Sequence, residues 1–227
     1  MQFGLARTAA GLALCAAASA GAGPACGPAS EPVALTAALQ ADLAARPGID
    51  RDPALRQALV ALWPGRAWNT ECEQDSRDSG SSPGPVRLAL ADGSWLVQIA
   101  CAQGAYQGSS WAAQVWPGPG ATGVAALLCW PVASERADRA PPGFEIVDEV
   151  VVWGDLARVD TGAGQPATVE IVNRYRAIGD CGTRSRYRLQ KGRVSLVELA
   201  TAFNCPDTVT DPPPDPADWP LAGLPVR

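Results

Sequence analysis

The sequence predicts a mainly β protein of the α+β class. The expected fold is an antiparallel sheet, sandwich or open barrel of about eight short strands, preceded by a helical hairpin and stabilised by disulfides. Three observations carry this expectation. Apolar residues recur at i, i+3, i+4 spacing up to Trp63 and then at a period of two from Val86 onward. Turn residues punctuate the second half of the chain about every 8–12 residues. An even set of cysteines remains once an N-terminal leader is set aside. With 227 residues, 47% of them apolar, the chain suits one domain plus tails and is too apolar to be disordered throughout.

Residues 1–20 read as a secretory signal. Arg7 is the only charge before Glu31, Ala9 to Ala18 form a short apolar run, and Ala18-Ser19-Ala20 offers a small-x-small cleavage site. The run is too short to span a bilayer, and no later stretch supplies a transmembrane segment to the mature chain. A periplasmic or secreted protein is therefore expected. Lipidation at Cys15 or Cys26 is a poorer fit, because neither cysteine sits in a good lipidation box. Removing the leader removes Cys15 and leaves Cys26, Cys72, Cys101, Cys129, Cys181 and Cys205. Six cysteines permit 15 pairings, and in an exported chain they read as disulfides. Neighbouring predicted strands favour Cys181–Cys205 and Cys101–Cys129, which leaves Cys26–Cys72. No C-x-x-C pair occurs, so neither a thioredoxin-type site nor a zinc knuckle is indicated.

Residues 21–33 are small and Pro-rich, the composition of a flexible lead. A helical pair is expected over 34–70. Leu35, Ala38, Leu39, Asp42 and Leu43 share one face of the first helix, and Arg46-Pro47-Gly48 stops it. Asp52 and Pro53 suit the start of the second, whose apolar face is Leu55, Leu59, Leu62 and Trp63. Such a hairpin would cover one side of a sheet. Residues 74–85 have linker composition within a β-rich segment that runs from 71 to 206.

The strands expected there are 86–90, 94–101, 110–116, 124–130, 144–153, 156–159, 168–176, 184–189 and 194–199. Asp92-Gly93 marks a hairpin, and Pro117-Gly118-Pro119-Gly120 marks another turn. Trp95, Trp111, Trp116, Trp130 and Trp153 fall in strands and are expected mostly in the core. Residues 207–227 form a Pro-rich tail, either disordered or docked through Trp219 and Leu221.

Two stretches are distinctive. One is Cys101 to Ser109, in which a strand-end cysteine is followed by Gly104, Ala105 and Tyr106. The other is Arg176 to Gly182, containing Gly179-Asp180-Cys181-Gly182, then Tyr187-Arg188-Leu189 and Val197-Glu198 before Cys205. In this order and spacing the chain, over about residues 95–206, resembles the bacterial domain-of-unknown-function 1176 family. The resemblance implies an exported, cysteine-containing β-rich domain, and it supplies no reaction and no catalytic residues. Read directly, Gly179 and Gly182 permit a tight turn, Asp180 can accept turn N–H groups, and Cys181 can pin the turn to Cys205. Gly104-Ala105-Tyr106 reads as a bulge or crossing point, with Tyr106 packed or lining a groove.

Charge is the most unusual local feature. Residues 171–197 carry a net charge of six positive units in a chain whose overall charge is −5. In strands, Arg184, Arg186 and Arg188 point one way, and Arg174 and Arg176 share one side of their own strand. A two-residue turn at Asp180-Cys181 would set Tyr187 opposite Arg174. A longer turn would set Tyr175 across from Tyr187 and gather all five arginines on one exposed face, an arrangement favoured by burial of both tyrosines.

That face is then either a ladder of salt bridges to Glu145, Asp148, Glu149, Asp155, Asp160 and Glu170, or a binding face for a carboxylate, phosphate or acidic envelope glycan. The absence of histidine excludes Ser-His-Asp and Cys-His nucleophile sites and imidazole-bound zinc. Neither a cofactor nor a metal is indicated, and the acidic balance argues against nucleic acid. Paired carboxylates among Glu145, Asp148, Glu149, Asp155 and Glu198 are the only apparatus left for a glycan hydrolase, and no spacing fixes such a pair. The expectation is a non-catalytic binding or structural module, whose partner is an anionic envelope polymer or another envelope protein. A carboxylate-based hydrolase and a protein inhibitor or partner-binding module are the alternatives.

Overall fold

The computed structural model describes residues 26, 31–46, 48–49, 53–63, 86–103, 107–120, 122–136, 143–160, 165–203, 205, 207 and 212–224. The expected signal, Cys72, residues 74–85 and the Gly104-Ala105-Tyr106 segment lie outside them.

The two expected helices form: α1 (Ala37–Ala45) and α2 (Pro53–Val60). Thr36, in extended conformation, caps α1 by accepting the Leu39 N–H at 3.2 Å. Leu39 and Leu43 of α1, with Leu55 and Leu59 of α2, are buried together with Leu35 and Trp63, whereas Ala38 and Asp42 are exposed. Cys26 is buried and disulfide-bonded to Cys129, and β1 (Val33–Ala34) pairs with a strand of the main sheet, so at these points the expected flexible lead is anchored. Between the helices, β2 (Gly48–Ile49) adds a further edge strand.

The main sheet is built from β3 (Val86–Ala89), β4 (Trp95–Gln103), β5 (Gly108–Trp116) and β6 (Val124–Leu127), all antiparallel, in the order β1-β6-β5-β4-β3-β2. Alternation decides what each face meets. Val97, Ile99, Trp111, Ala113, Val115, Ala125 and Leu127 face the helices, and Trp63 meets Trp111 edge-on with ring centroids 5.8 Å apart. Leu96, Ala112 and Leu128 belong to a second core on the opposite face. Gln40 of α1 ties the helical layer to the Pro117–Gly120 turn, donating to the Gly118 and Gly120 carbonyls at 2.8 and 3.0 Å.

The second core is closed by a four-stranded antiparallel meander: β10 (Asp155–Asp160), β11 (Ala167–Arg174), β12 (Gly182–Gln190) and β13 (Arg193–Ala202). Its inner residues Val169, Ile171, Tyr187 and Leu189 pack against the main sheet. The result is a helix, sheet, sheet sandwich, with a separate two-stranded ribbon beside it.

Two expected strands are each divided. The run 124–130 breaks at Leu128-Cys129, where the chain leaves the main sheet and starts β7 (Trp130–Arg136). The run 144–153 divides into β8 (Gly143–Glu149), which pairs only with β7, and β9 (Val151–Trp153). The break has a steric reason. β6 and β9 share one edge of β5, β6 pairing with Ala113–Trp116 and β9 with Ser109–Trp111.

Two disulfides are placed. Cys181–Cys205 is the expected pair, with Cα atoms 5.0 Å apart. Cys26–Cys129, with Cα atoms 6.0 Å apart, replaces the expected Cys101–Cys129 and Cys26–Cys72. Sequence proximity of strands is a poor guide here: Cys26, Cys101 and Cys129 all meet in the core under the helices, and there the distant Cys26 is the residue bonded to Cys129. Cys101 is disulfide-bonded as well. Trp153 corrects the expectation of buried strand tryptophans: it is 44% exposed, while Trp111 and Trp130 are fully buried.

Leu59 is inaccessible at the junction of helices and sheet. Leu59→Ala should therefore cost about 2–5 kcal/mol, because the cavity it leaves cannot collapse between the helical layer and the main sheet. Denaturant unfolding followed by tryptophan fluorescence measures this. A cost under about 0.5 kcal/mol would mean that the helical layer does not share the core.

Candidate functional site

The outer face of the meander collects the arginines that the sequence brings forward. Its register is fixed by β11 pairing, in which Ile171 faces Ser185, Glu170 faces Arg186, Val169 faces Tyr187 and Thr168 faces Arg188. Tyr187 thus opposes Val169, and neither Arg174 nor Tyr175 is its partner, so both registers weighed from sequence are corrected. The reason is the turn. It runs from Tyr175 to Cys181, closed by the Tyr175 N–H donating to the Cys181 carbonyl at 3.1 Å. Inside it, the Arg176 guanidinium grips Asp180 with two bonds, Nε to Oδ1 at 2.7 Å and Nη2 to Oδ2 at 2.5 Å.

Asp180 is buried, and the hydrogen bonds from Arg176 hold its carboxyl below the usual carboxylate range against the opposing effect of desolvation. Gly182, at φ 151°, follows where a Cβ would run into the Asn173 carbonyl and the Trp219 ring. The Gly-Asp-Cys-Gly element is thus a sealed structural turn. Its carboxylate is held chiefly by an arginine side chain, where turn N–H groups had been expected.

From this turn the outer face divides into three zones. At the turn end Trp219, which is buried, packs on Val172 and Ala200. The tail is therefore docked over 212–224, through Trp219 and through backbone bonds at Thr201 and Ala222, while the Leu221 side chain stays 68% exposed. In the middle zone two carboxylates clamp two guanidiniums. Arg184 meets Glu198 at 3.0 Å and Glu170 at 3.8 Å, and Arg186 meets Glu198 at 3.2 Å and Glu170 at 3.3 Å. Arg184 is only 12% exposed. The four charges cancel, so this zone has no net field with which to draw an anion. Arg174 is likewise bound to Asp155, at 2.6 Å.

Of the five arginines singled out in the sequence, Arg188 alone has no carboxylate partner among the described residues. It belongs to the third zone. There the β12–β13 hairpin ends in a two-residue turn, Lys191-Gly192, with Gln190 facing Arg193. Lys191 and Arg193, exposed like Arg188, are also without an ion pair to any described residue. Sequence counting included all three cations but could not separate them from the neutralised ones.

The carboxylates considered for hydrolysis do not assemble as a facing pair on this surface: Glu198 is engaged by Arg184 and Arg186, and Asp155 by Arg174. Glu145 and Asp148 stand on the separate β7–β8 ribbon, opposite Ser134 and Pro131. The buried Tyr187 phenol is pushed up to about 12 by desolvation and stays neutral. Among the described residues no group of three or more His, Cys, Asp or Glu side chains is arranged to hold a metal ion, and no helix is long and apolar enough to cross a membrane.

Compared with protein-family models, curated proteins and solved structures, the chain finds no match.

The Arg176–Asp180 clamp makes a pH prediction. Because the folded-state pKa of Asp180 lies below its unfolded value of about 3.9, its contribution is complete above that value and is lost as pH falls through the folded pKa. Asp180→Asn should lower Tm by several degrees at pH 6, and the gap to the parent should narrow by pH 3. Thermal melts of both proteins at the two pH values decide; a gap that stays constant would remove the clamp from the acid response.

Proposed function

We propose that the protein is an exported, disulfide-held module of the cell envelope that works by binding or scaffolding and carries out no reaction. The observation that carries this reading is the state of its cysteines. Cys26, Cys101, Cys129, Cys181 and Cys205, all the cysteines among the described residues, are disulfide-bonded. Such bonds persist in oxidising compartments and are rare in the cytosol. The resemblance of residues 95–206 to the domain-of-unknown-function 1176 family points in the same direction.

A non-catalytic role is supported by how the polar residues are used. Glu170 and Glu198 neutralise arginines, Asp180 closes a turn, and the buried Gln114 bonds to Ser94 and Gly192. Each of these groups is engaged in holding the fold.

Cell fractionation combined with thiol titration tests the reading. The mature protein should appear in the periplasmic or secreted fraction and show no free thiol in denaturant until a reductant is added. A cytosolic protein with several titratable thiols would sink it.

A further inference from the structure

We propose that the tip of the β12–β13 hairpin is a docking site for an anionic glycan, with Arg188, Lys191 and Arg193 as its contacts. Three independent observations meet at this tip. The first is uncompensated charge. Ladder pairing places Arg188 opposite Ser195 and Thr168, and Arg193 opposite Gln190, so the directly facing residues are neutral, and the diagonal acid Glu170 is held by Arg184 and Arg186. Arg188 and Arg193 are diagonal neighbours across the two strands, within reach of one another's ligand. Like charges left so close, with no ion pair to any described residue, favour an external anion, and guanidinium groups suit bidentate contact with carboxylate or phosphate.

The second observation is rigidity. The turn is anchored from below by Gln114, a fully buried residue of the central strand, whose Oε1 accepts the Gly192 N–H at 2.9 Å. Gln114 is itself fixed by donating to Ser94 Oγ at 2.8 Å. A Cβ on Gly192 would press on Trp116 and Ala126, so the tip is seated on the main sheet. A preorganised tip loses little conformational freedom on binding.

The third is the residue at the apex. Lys191 adopts φ 50°, and it is the only non-glycine residue with positive φ among the described residues. A type I′ turn favours Asn, Asp or Gly at that position, so a lysine there carries a backbone cost that Asn would relieve. The residue is exposed, at the turn that ends the paired strands.

The chemistry favours a charged polysaccharide over a membrane. Three cations at about 1 kcal/mol each give weak attachment to anionic lipid, and Gln190, Lys191 and Gly192 offer no apolar side chain for insertion. The choice of a glycan rests on the extracytoplasmic reading, whereas the charge-dependent contact can be tested on the purified protein alone.

The experiment measures binding of the full mature chain to polygalacturonate and to a phosphomannan, separating carboxylate from phosphate recognition, with neutral dextran and phosphatidylglycerol vesicles alongside. At about 50 mM salt, the parent should bind one or both anionic glycans and not dextran. Arg188→Gln/Lys191→Asn/Arg193→Gln should weaken this about tenfold while keeping the parent Tm. Lys191→Asn alone should weaken binding two- to threefold, by about 0.5 kcal/mol, and leave Tm equal or higher.

Unchanged binding by the triple variant, no binding by the parent, or a stronger response to vesicles than to either glycan would overturn the assignment. None of these outcomes bears on localisation, which fractionation tests separately.

Discussion

The structure depends on one constraint: β5 is buried along its length on both faces, so the main sheet must be covered twice. Its sequence, Gly-Ser-Ser-Trp-Ala-Ala-Gln-Val-Trp, has no charged residue. Trp111, Ala113 and Val115 need the helices, while Ser110, Ala112 and Gln114 need the meander. A polar side chain in the second interface must find a partner, since an unpaired buried amide costs about 1–3 kcal/mol. Ser110 accepts from Gln98 at 2.8 Å, and Gln114 links Ser94 to Gly192. Gln107 bonds to Asn173 and accepts the Arg174 N–H at 2.8 Å. The Gln114–Gly192 bond and the Gln107 bonds to Asn173 and Arg174 fix where the second sheet sits on the first, which apolar contacts alone would leave free to slide. The position of the basic tip follows from the same requirement.

Neutrality in the middle of the outer face depends on a bulge. Between the pairs Arg186–Glu198 and Tyr187–Leu196, β13 contains one residue, Val197, with no partner of its own. Continued from the hairpin turn without it, the register would set Arg186 against Val197 and Ser185 against Glu198. With it, Leu196 turns inward beside Tyr187, Glu198 comes level with Arg186, and the extra residue, Val197, is left 37% exposed. One inserted residue thus satisfies the apolar pattern of the core and the charge pattern of the surface together. Beyond the bulge toward the turn, β12 and β13 carry no acidic residue while the cations continue, which is why charge accumulates at the tip.

Much of this was legible in the sequence because it is local. Period-two alternation located the strands of both sheets, and Leu39, Leu43, Leu55 and Leu59 marked the buried faces of the helices. Asp92-Gly93 marked its hairpin, with Gly93 at φ 81° and Asp92 accepting the Ser94 N–H at 2.9 Å. What stayed hidden depends on distant or irregular contacts. Cys26 and Cys129 are 103 residues apart, and strand order alone cannot bring them together. The turn before Cys181 is set by a guanidinium–carboxylate clamp inside the loop, and alternation on its flanks carries no trace of it. In the candidate site the arginines were plain to see. Glu198 stands out in sequence only as one strand carboxylate among several, because its place opposite Arg186 depends on the bulge.

The C-terminal tail shows how one covalent bond shapes a surface far along the chain. Cys205 is tied to Cys181 at the start of β12, so the tail sets out from a point already held against the meander. The segment from there to Trp219 is short, and docking within one chain over so short a tether carries a high effective concentration. Trp219 then lies over Gly182, where any larger residue would push it away. Leu221 bridges to Ala200, with the Thr201 N–H donating to Pro220 and the Ala222 N–H donating to Leu199, both at 2.8–2.9 Å. The tail therefore caps part of the exposed edge of β13. The uncapped part of that edge carries the Val197 bulge and the Arg193 charge, two further obstacles to edge pairing. Glycine, cystine and tryptophan act there as one device, leaving the tip as the part of this face where the cations have no ion pair to a described residue.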